Sequence, residues 1–362
     1  MDVSPFPYQG PLDPAQVRGR EALIADLTER ITERRVTALL GPRRYGKTSI
    51  VRRVVEDLSD ESSIIWIDLY EVASLADLAV RLDDALVQTR GAVRAALARV
   101  AASVSLNLGV ARLEFRKQPS QQPDALATVH TLLDVMVKGA LRSPTAIVFD
   151  EFSSIANVAN AAGLLRTYLQ HHYQSIGLVF AGSEPAMMRM LFSDVAQPFY
   201  AQADLVEIGP MTEAEVATIV LDGFDETGRA AGPVASRVAA FSRGHPQRAM
   251  HLADAAWRRT APGEEADDDV WAAALEAVRR DTDAGLERLY SALNEGQRAS
   301  LRILAAGGSL FGADARLLDL SPGAAQHARK VLVDRGHVHD VDGRFEIVDP
   351  LFADWINRRF AI

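Results

Sequence analysis

The chain contains no cysteine, which removes disulfides, thiolate metal sites and thiol nucleophiles together. No apolar run approaches the roughly 18 residues that a membrane-spanning helix needs, so no membrane partner is expected. Residues 1–10 have neither the basic segment nor the apolar core of a secretory signal. With thiols absent as well, the expected location is cytoplasmic. Lysine is scarce: Lys47, Lys117, Lys138 and Lys330 are the only four among 39 basic residues, so the place of each is informative. The formal charge of −9 excludes the overall electrostatic footprint of a general nucleic-acid binder, and any such contact has to be local. There is no internal repeat and no low-complexity tract.

What is present fits a soluble globular chain of two or three domains, since 362 residues exceed the usual single-domain size. Up to about Glu207, short β-branched runs alternate with longer amphipathic stretches. Val36–Leu40, Ser63–Asp68, Thr145–Asp150 and Ile176–Ala181 read as strands of a parallel α/β sheet with helices between them. Val104–Phe115 alternates around Gly109 and reads as an inserted β-hairpin. From Ile208 the pattern turns helical. Thr212 with Glu215 forms a capping box, Pro246 opens another helix, and an acidic linker follows at Gly263–Asp269. The last region reads as three helices ending with Pro322–Arg335, then two strands, His337–Val341 and Arg344–Ile347, joined at Asp342-Gly343, a type I′ turn signal. Three helices and a hairpin describe a winged helix-turn-helix. The expected division is an arm (1–10), an α/β core (11–207), a helical lid (208–262), a linker with a connecting helix (263–283) and a winged helix (284–362).

Gly41-Pro42-Arg43-Arg44-Tyr45-Gly46-Lys47-Thr48 fits the phosphate-loop template G-x-x-x-x-G-K-[ST] and lies between a buried strand and a helix, where phosphate binding requires it. The glycines let the backbone wrap a β-phosphate, with amides of Tyr45, Gly46, Lys47 and Thr48 aimed at it from a helix N-terminus. Lys47 would neutralise the β- and γ-phosphates, and the Thr48 hydroxyl is placed to ligate Mg2+. With Ser49, this loop is the candidate ATP-binding set. The apolar strand Ala146–Phe149 ends in Asp150 and Glu151 at the carboxyl edge of the sheet. Asp150 is the candidate second holder of magnesium, and Glu151 the candidate base that orients or deprotonates the attacking water. Ser183, after the next strand, either reaches the γ-phosphate or caps structure.

These residues resemble the archaeal-type ATPases of the AAA+ superfamily, on its STAND branch, in which a winged helix follows the ATPase core. The resemblance spans nearly the whole chain. It rests on Arg18-Gly-Arg-Glu21, Gly41-Pro-Arg-Arg44, Phe149-Asp-Glu-Phe152, Gly182-Ser183, Gly244-His-Pro246 and Asp349-Pro-Leu-Phe352 with Trp355. It implies an adenine pocket near Val17 to Arg20, with Arg18 in it, a first sensor at Ser183, and nucleotide contacts from His245 and Pro246 of the lid. Two departures stand out. Pro198-Phe-Tyr-Ala-Gln202 lacks the arginine that the group carries at its end, which makes slow hydrolysis, or the use of another arginine such as Arg189, the expectation. Gln247 stands where related origin-recognition proteins carry arginine, with Arg248 one position on.

The expected function is that of a magnesium-dependent ATPase switch whose nucleotide state, ATP or ADP, positions the winged helix, with double-stranded DNA as the target. Gln326, Arg329 and Lys330 of the candidate recognition helix, with Arg344 of the wing, are the candidate DNA contacts. The same helix is expected to bury Val331 and Leu332. The alternative is a slow or inactive ATPase acting as a scaffold through a protein partner or self-association, because acids balance bases across the last region and fold alone does not assign it a task.

Overall fold

The computed structural model describes residues 3–341 and 343–362. Five parallel strands form one sheet in the order β2-β3-β4-β1-β5, with β1 Thr37–Leu40, β2 Ser63–Asp68, β3 Thr145–Asp150, β4 Gly177–Gly182 and β5 Asp204–Glu207. Side chains alternate between faces along each strand, so the sheet feeds two cores. Leu40, Ile147, Phe149, Leu178 and Phe180 enter one core with helices Leu75–Gln88, Ala125–Ala140 and Ala161–Leu169. Leu39, Ala146, Val148, Val179 and Ala181 enter the other with helices Glu21–Thr32 and Lys47–Asp57. The central strands read as unbroken apolar runs because both faces are covered. Strand β5 went unread in the sequence: it is a four-residue edge strand, mostly exposed, offering only Leu205 and Val206 as apolar signal. Its ends are held by charge, Arg30 and Arg35 on Asp204 and Arg189 on Glu207.

The expected hairpin at Val104–Phe115 is absent. Turns lead into a short helix, Ala111–Glu114. Asp83, buried on helix Leu75–Gln88, accepts the amides of Gly109 (2.8 Å) and Ala111 (2.9 Å), taking donors a strand ladder would have used. The apparent alternation came from Leu106 and Leu108, which are half-buried against the core.

After the sheet come helices Glu213–Asp225, Val234–Ser242 and Pro246–Trp257, then the long helix Asp268–Ser291. The Thr212–Glu215 capping box is present, with the Glu215 amide donating to Thr212 Oγ1 at 3.1 Å and the Thr212 amide to Glu215 Oε2 at 2.7 Å. Helices Glu295–Ala305, Ala313–Leu317 and Pro322–Asp334 precede an antiparallel pair, β6 Val338–Val341 and β7 Arg344–Ile347, and the last helix, Pro350–Arg359. Of the turn between β6 and β7, Asp342 lies outside the described residues, as do Met1 and Asp2 of the arm. A single apolar core runs from Val216 and Phe224 through Ala274 and Val278 to Phe352 and Trp355, so the long helix welds the helical region to the C-terminal one. The acidic segment before that helix is pinned too: the Ala230 amide donates to Glu264 O at 2.9 Å and the Ala266 amide to Ala230 O at 2.8 Å. No helix among the described residues is long and apolar enough to cross a membrane.

Candidate functional site

The loop Gly41–Thr48 leaves β1 and opens helix Lys47–Asp57 at the carboxyl edge of the sheet. Gly41 is required by close approach, since a Cβ there would come within 2.0 Å of Ile208 Cγ2, and Gly46 by its φ of +87°. Lys47 is 5% exposed, and its ammonium donates to the carbonyls of Gly41 and Pro42, each at 2.7 Å. Burial lowers its pKa to about 8 against the opposing pull of Glu151 and Asp150. The lysine is thus held within the loop at the point where phosphate charge would be met.

Strand β3 delivers the acids Asp150 and Glu151, and β4, between β3 and β1, delivers Ser183. Thr48 Oγ1 donates to Asp150 Oδ2 at 3.1 Å, bringing the two candidate magnesium holders together. Burial, and then the charge of Glu151, raise Asp150 to about 6. No group of three or more His, Asp or Glu side chains among the described residues forms an ion site. A hydroxyl beside one carboxylate fits magnesium, which keeps waters and phosphate oxygens for most of its shell. Glu151 sits at φ +52°, and its Oε2 accepts from Ser183 Oγ at 2.6 Å and the Ser183 amide at 3.3 Å. Ser183 therefore orients the acid, a role the sequence left open.

A cavity of about 540 Å³ opens over the loop. The phosphate loop and its partners line it through Arg43, Arg44, Tyr45, Gly46, Lys47, Thr48, Ser49, Glu151 and Ser183. Val17, Arg18, Arg20, Ile50, Met211, Pro246, Gln247 and Met250 line it as well, together with Pro7, Tyr8, Pro11 and Leu12. Arg18 donates to Glu226 Oε2 at 2.6 Å, and Arg20 to Gly209 O at 2.7 Å, both bridging toward the helical region. Ser49 Oγ is engaged by the Leu12 amide at 3.0 Å. The buried Gln247 Oε1 has no hydrogen-bond partner. The N-terminal segment and the two methionines were not read as site residues. Phe6 and Tyr8 among three prolines were the available signal.

His245 and Pro246 take different places. His245 is 3% exposed, lies off the cavity wall, and caps helix Pro246–Trp257 by accepting the Arg248 amide on Nδ1 at 3.3 Å. Its ring meets Tyr45 edge-on at 5.0 Å, and burial lowers its pKa to about 4. Pro246 does line the cavity, whereas Pro42 does not and acts only through its carbonyl. Arg189, the substitute arginine, is paired with Glu207 through Nη2 at 2.7 Å. Arg248 makes a two-pronged contact with Asp349, at 3.0 and 2.5 Å, joining the helix that lines the cavity to the start of the last helix. Val348, beside it, packs in the same core as Tyr45.

On helix Pro322–Asp334 the buried stripe is Ala325, Ala328 and Leu332, while Val331 is only half-buried. Gln326 and Lys330 are exposed, as is Arg344 at the start of β7. Arg329 is half-buried, with its guanidinium 4.8 Å from the Phe345 ring centre and 5.8 Å from that of Phe311. The helix faces helix Pro185–Ser193 of the α/β region.

No family model matches the sequence, and no curated protein does. Among solved structures, a Walker-type ATPase of Pyrococcus abyssi is similar over 98% of this chain and 99% of its own, at 18% identity and a TM-score of 0.69. The ORC2 protein of Aeropyrum pernix in ADPNP-ADP complexes matches 98% of this chain and 96% of its own, at 16% identity and a TM-score of 0.59. The ORC1 protein of Aeropyrum pernix in complex with DNA matches 95% and 93%, at 15% identity and a TM-score of 0.53. At these identities the likeness is one of fold, and the fold is that of a P-loop NTPase: a parallel sheet with helices on both faces and the phosphate loop after β1.

Proposed function

We propose that the chain binds ATP with magnesium, hydrolyses it slowly, and uses the nucleotide to set the position of a C-terminal winged helix, as a protein of the STAND branch of AAA+ ATPases. The observation that carries the reading is the convergence of Lys47, the Thr48–Asp150 pair and the Ser183–Glu151 pair at the ends of three adjacent strands, β1, β3 and β4. In this reading Lys47 exchanges its two loop carbonyls for phosphate oxygens, and Glu151, steadied by Ser183, orients and deprotonates the attacking water. Thr48 and Asp150 would hold magnesium, which supplies charge neutralisation at the phosphates. Arg18 and Arg20 are committed to the helical region, while Arg43 and Arg44 are exposed at the cavity and make no ion pair among the described residues. They are the arginines best placed to face transferring phosphate. Replacing Glu151 by Gln is expected to leave ATP affinity intact and slow hydrolysis by at least about 10². Unchanged turnover would assign the base elsewhere.

The switch rests on shared neighbours. Tyr45 and the helix at Pro246 border the cavity; Tyr45 shares an apolar core with Val348, and Arg248 of that helix grips Asp349 of the C-terminal region. A ligand that prefers one arrangement of these elements shifts the whole region. Duplex DNA is the partner we infer, supported by exposed Gln326, Lys330 and Arg344 and by the DNA complex of the ORC1 neighbour. A scaffold that contacts protein is the second reading, favoured by the stacking of Arg329 on Phe345 and by the approach of its helix to helix Pro185–Ser193. Fluorescence anisotropy on duplex DNA at several salt concentrations, with ATP, ADP or no nucleotide, separates them. DNA binding in one nucleotide state only is the expected result. Arg329→Ala with Lys330→Ala should flatten its salt dependence by up to about two phosphate contacts. No binding in any state at low salt would eliminate DNA and leave the scaffold.

A further inference from the structure

Residues 5–12 hold no group that a phosphate site needs, yet they are fastened on both sides of the cavity. Phe6 is 1% exposed, inside the core of the helical region, with its ring 5.7 Å from that of Phe224. Its seat is cut into helix Glu213–Asp225 by Gly223, where a Cβ would come within 2.5 Å of the Phe6 ring and 3.3 Å of Pro5. Two residues on, Tyr8 lies flat on His251 of helix Pro246–Trp257, with ring centres 4.1 Å apart and planes 13° from parallel. The far end is tied to the helix that follows the phosphate loop. The Leu12 amide donates to Ser49 Oγ at 3.0 Å, and Arg53 Nη1 donates to Pro14 O at 3.4 Å. Along this stretch Pro7, Tyr8, Gly10, Pro11 and Leu12 form cavity wall, as do Met250 and Pro246. Three prolines in this stretch limit the backbone freedom lost by holding it there.

We propose that residues 5–12 are a strap that closes the nucleoside end of the cavity and holds the helical region onto the phosphate loop. Retention of a bound nucleoside then depends on Phe6 and Tyr8, while the grip on its phosphates does not. The proposal rests on the nucleotide reading of the site. The cavity wall is of two kinds: the proline, tyrosine, leucine and methionine surfaces of the N-terminal segment and the helical region suit a flat heterocycle, whereas the loop amides with Lys47 and Thr48 suit phosphate. A ligand made only of phosphate is therefore blind to the strap.

The test compares ADP and inorganic tripolyphosphate on the full chain. Tyr8→Ala should speed ADP release at least about tenfold, because changes at one interface act mostly on dissociation, and should change the tripolyphosphate Kd by less than about twofold. Phe6→Ala should do the same or more. Since it also removes a core ring, Tyr8→Ala, which alters a half-buried side chain, keeps the test valid if Phe6→Ala fails to fold. Gly223→Ala, which crowds the seat of Phe6 from the opposite side, should match Phe6→Ala. ADP release unchanged in Tyr8→Ala while the parent binds ADP would overturn the strap alone. Equal weakening of ADP and tripolyphosphate would do so too, revealing a general lesion of the site. A parent protein that binds neither ligand would instead refute the nucleotide reading on which the strap depends.

Discussion

Lys47 and Arg329 are both cations proposed to meet phosphate, and their surroundings are opposite. Lys47 is nearly buried, pinned by two carbonyls of its own loop, and depressed in pKa by a burial that the attraction of Glu151 and Asp150 does not offset. Arg329 rests on two aromatic faces at the edge of solvent and is already satisfied. A buried cation gripped by the dipoles of its own loop declares its ligand. An exposed one with a stacking partner serves stability as readily as recognition.

That contrast can be broken most sharply at Lys47. Lys47→Ala should abolish ATP binding in calorimetry, since the loop would keep its amides and lose its central charge. Near-native affinity would show that the loop dipoles suffice and that the two cations are not so different.

The next largest effect belongs to the tie between the two regions. Asp349→Asn keeps a side-chain oxygen for the Leu351 amide, now at 3.0 Å, but removes the charge that Arg248 grips. The expected loss is about 1.5–3 kcal/mol in urea unfolding, the usual worth of hydrogen bonds to a charged group. Nucleotide affinity should change with it, because Arg248 shares its helix with the cavity wall. Equal stability and equal affinity would mean that the C-terminal region sits on the site without being coupled to it.

The smallest effect sharpens the comparison through pH. His245 is buried neutral, with a folded pKa pushed down to about 4 from 6.5, so the unfolded chain takes up the proton first as pH falls. Its contribution is fully present above about pH 6.5 and is lost as pH drops through that value toward about 4. Asn at this position can cap the helix without titrating. His245→Asn should therefore lose less stability than the parent between pH 7 and pH 4.5 in parallel denaturant melts, with Asp349, Arg248 and Arg44 unchanged around it. Parallel pH curves for the two proteins would place the acid sensitivity elsewhere, for instance at His251, His337 or His339, which burial shifts the same way.

Much of the site was legible because its signals are local. Gly41, Gly46, Lys47 and Thr48 lie within eight residues and answer to one geometry, and Asp150 and Glu151 follow from a strand that ends in acids. Helix starts were legible for the same reason, as at Thr212 with Glu215 and at Pro246. The misreading at Val104–Phe115 shows the limit. Its alternation was real, but Asp83, more than twenty residues upstream, claimed the amides and turned the segment away from a ladder. His245 and Pro246 show the same limit, because their adjacency in sequence did not say which of the two would face the cavity.

By itself the sequence determined the phosphate loop, the acids after β3, four of the five strands of the sheet and the order of helices and hairpin that follow, all through interactions a few residues in reach. Tertiary structure alone decided that Phe6 enters a seat at Gly223, that Arg248 meets Asp349, and that Ser183 turns its hydroxyl to Glu151. Those partners are separated by 32 to more than 200 residues, and Arg248 and Asp349 by 101. Loop closure over such spans is favourable only once sheet and helices have buried their apolar faces. The contacts that define the base end of the cavity and its link to the C-terminal region are consequences of packing, which no local pattern encodes.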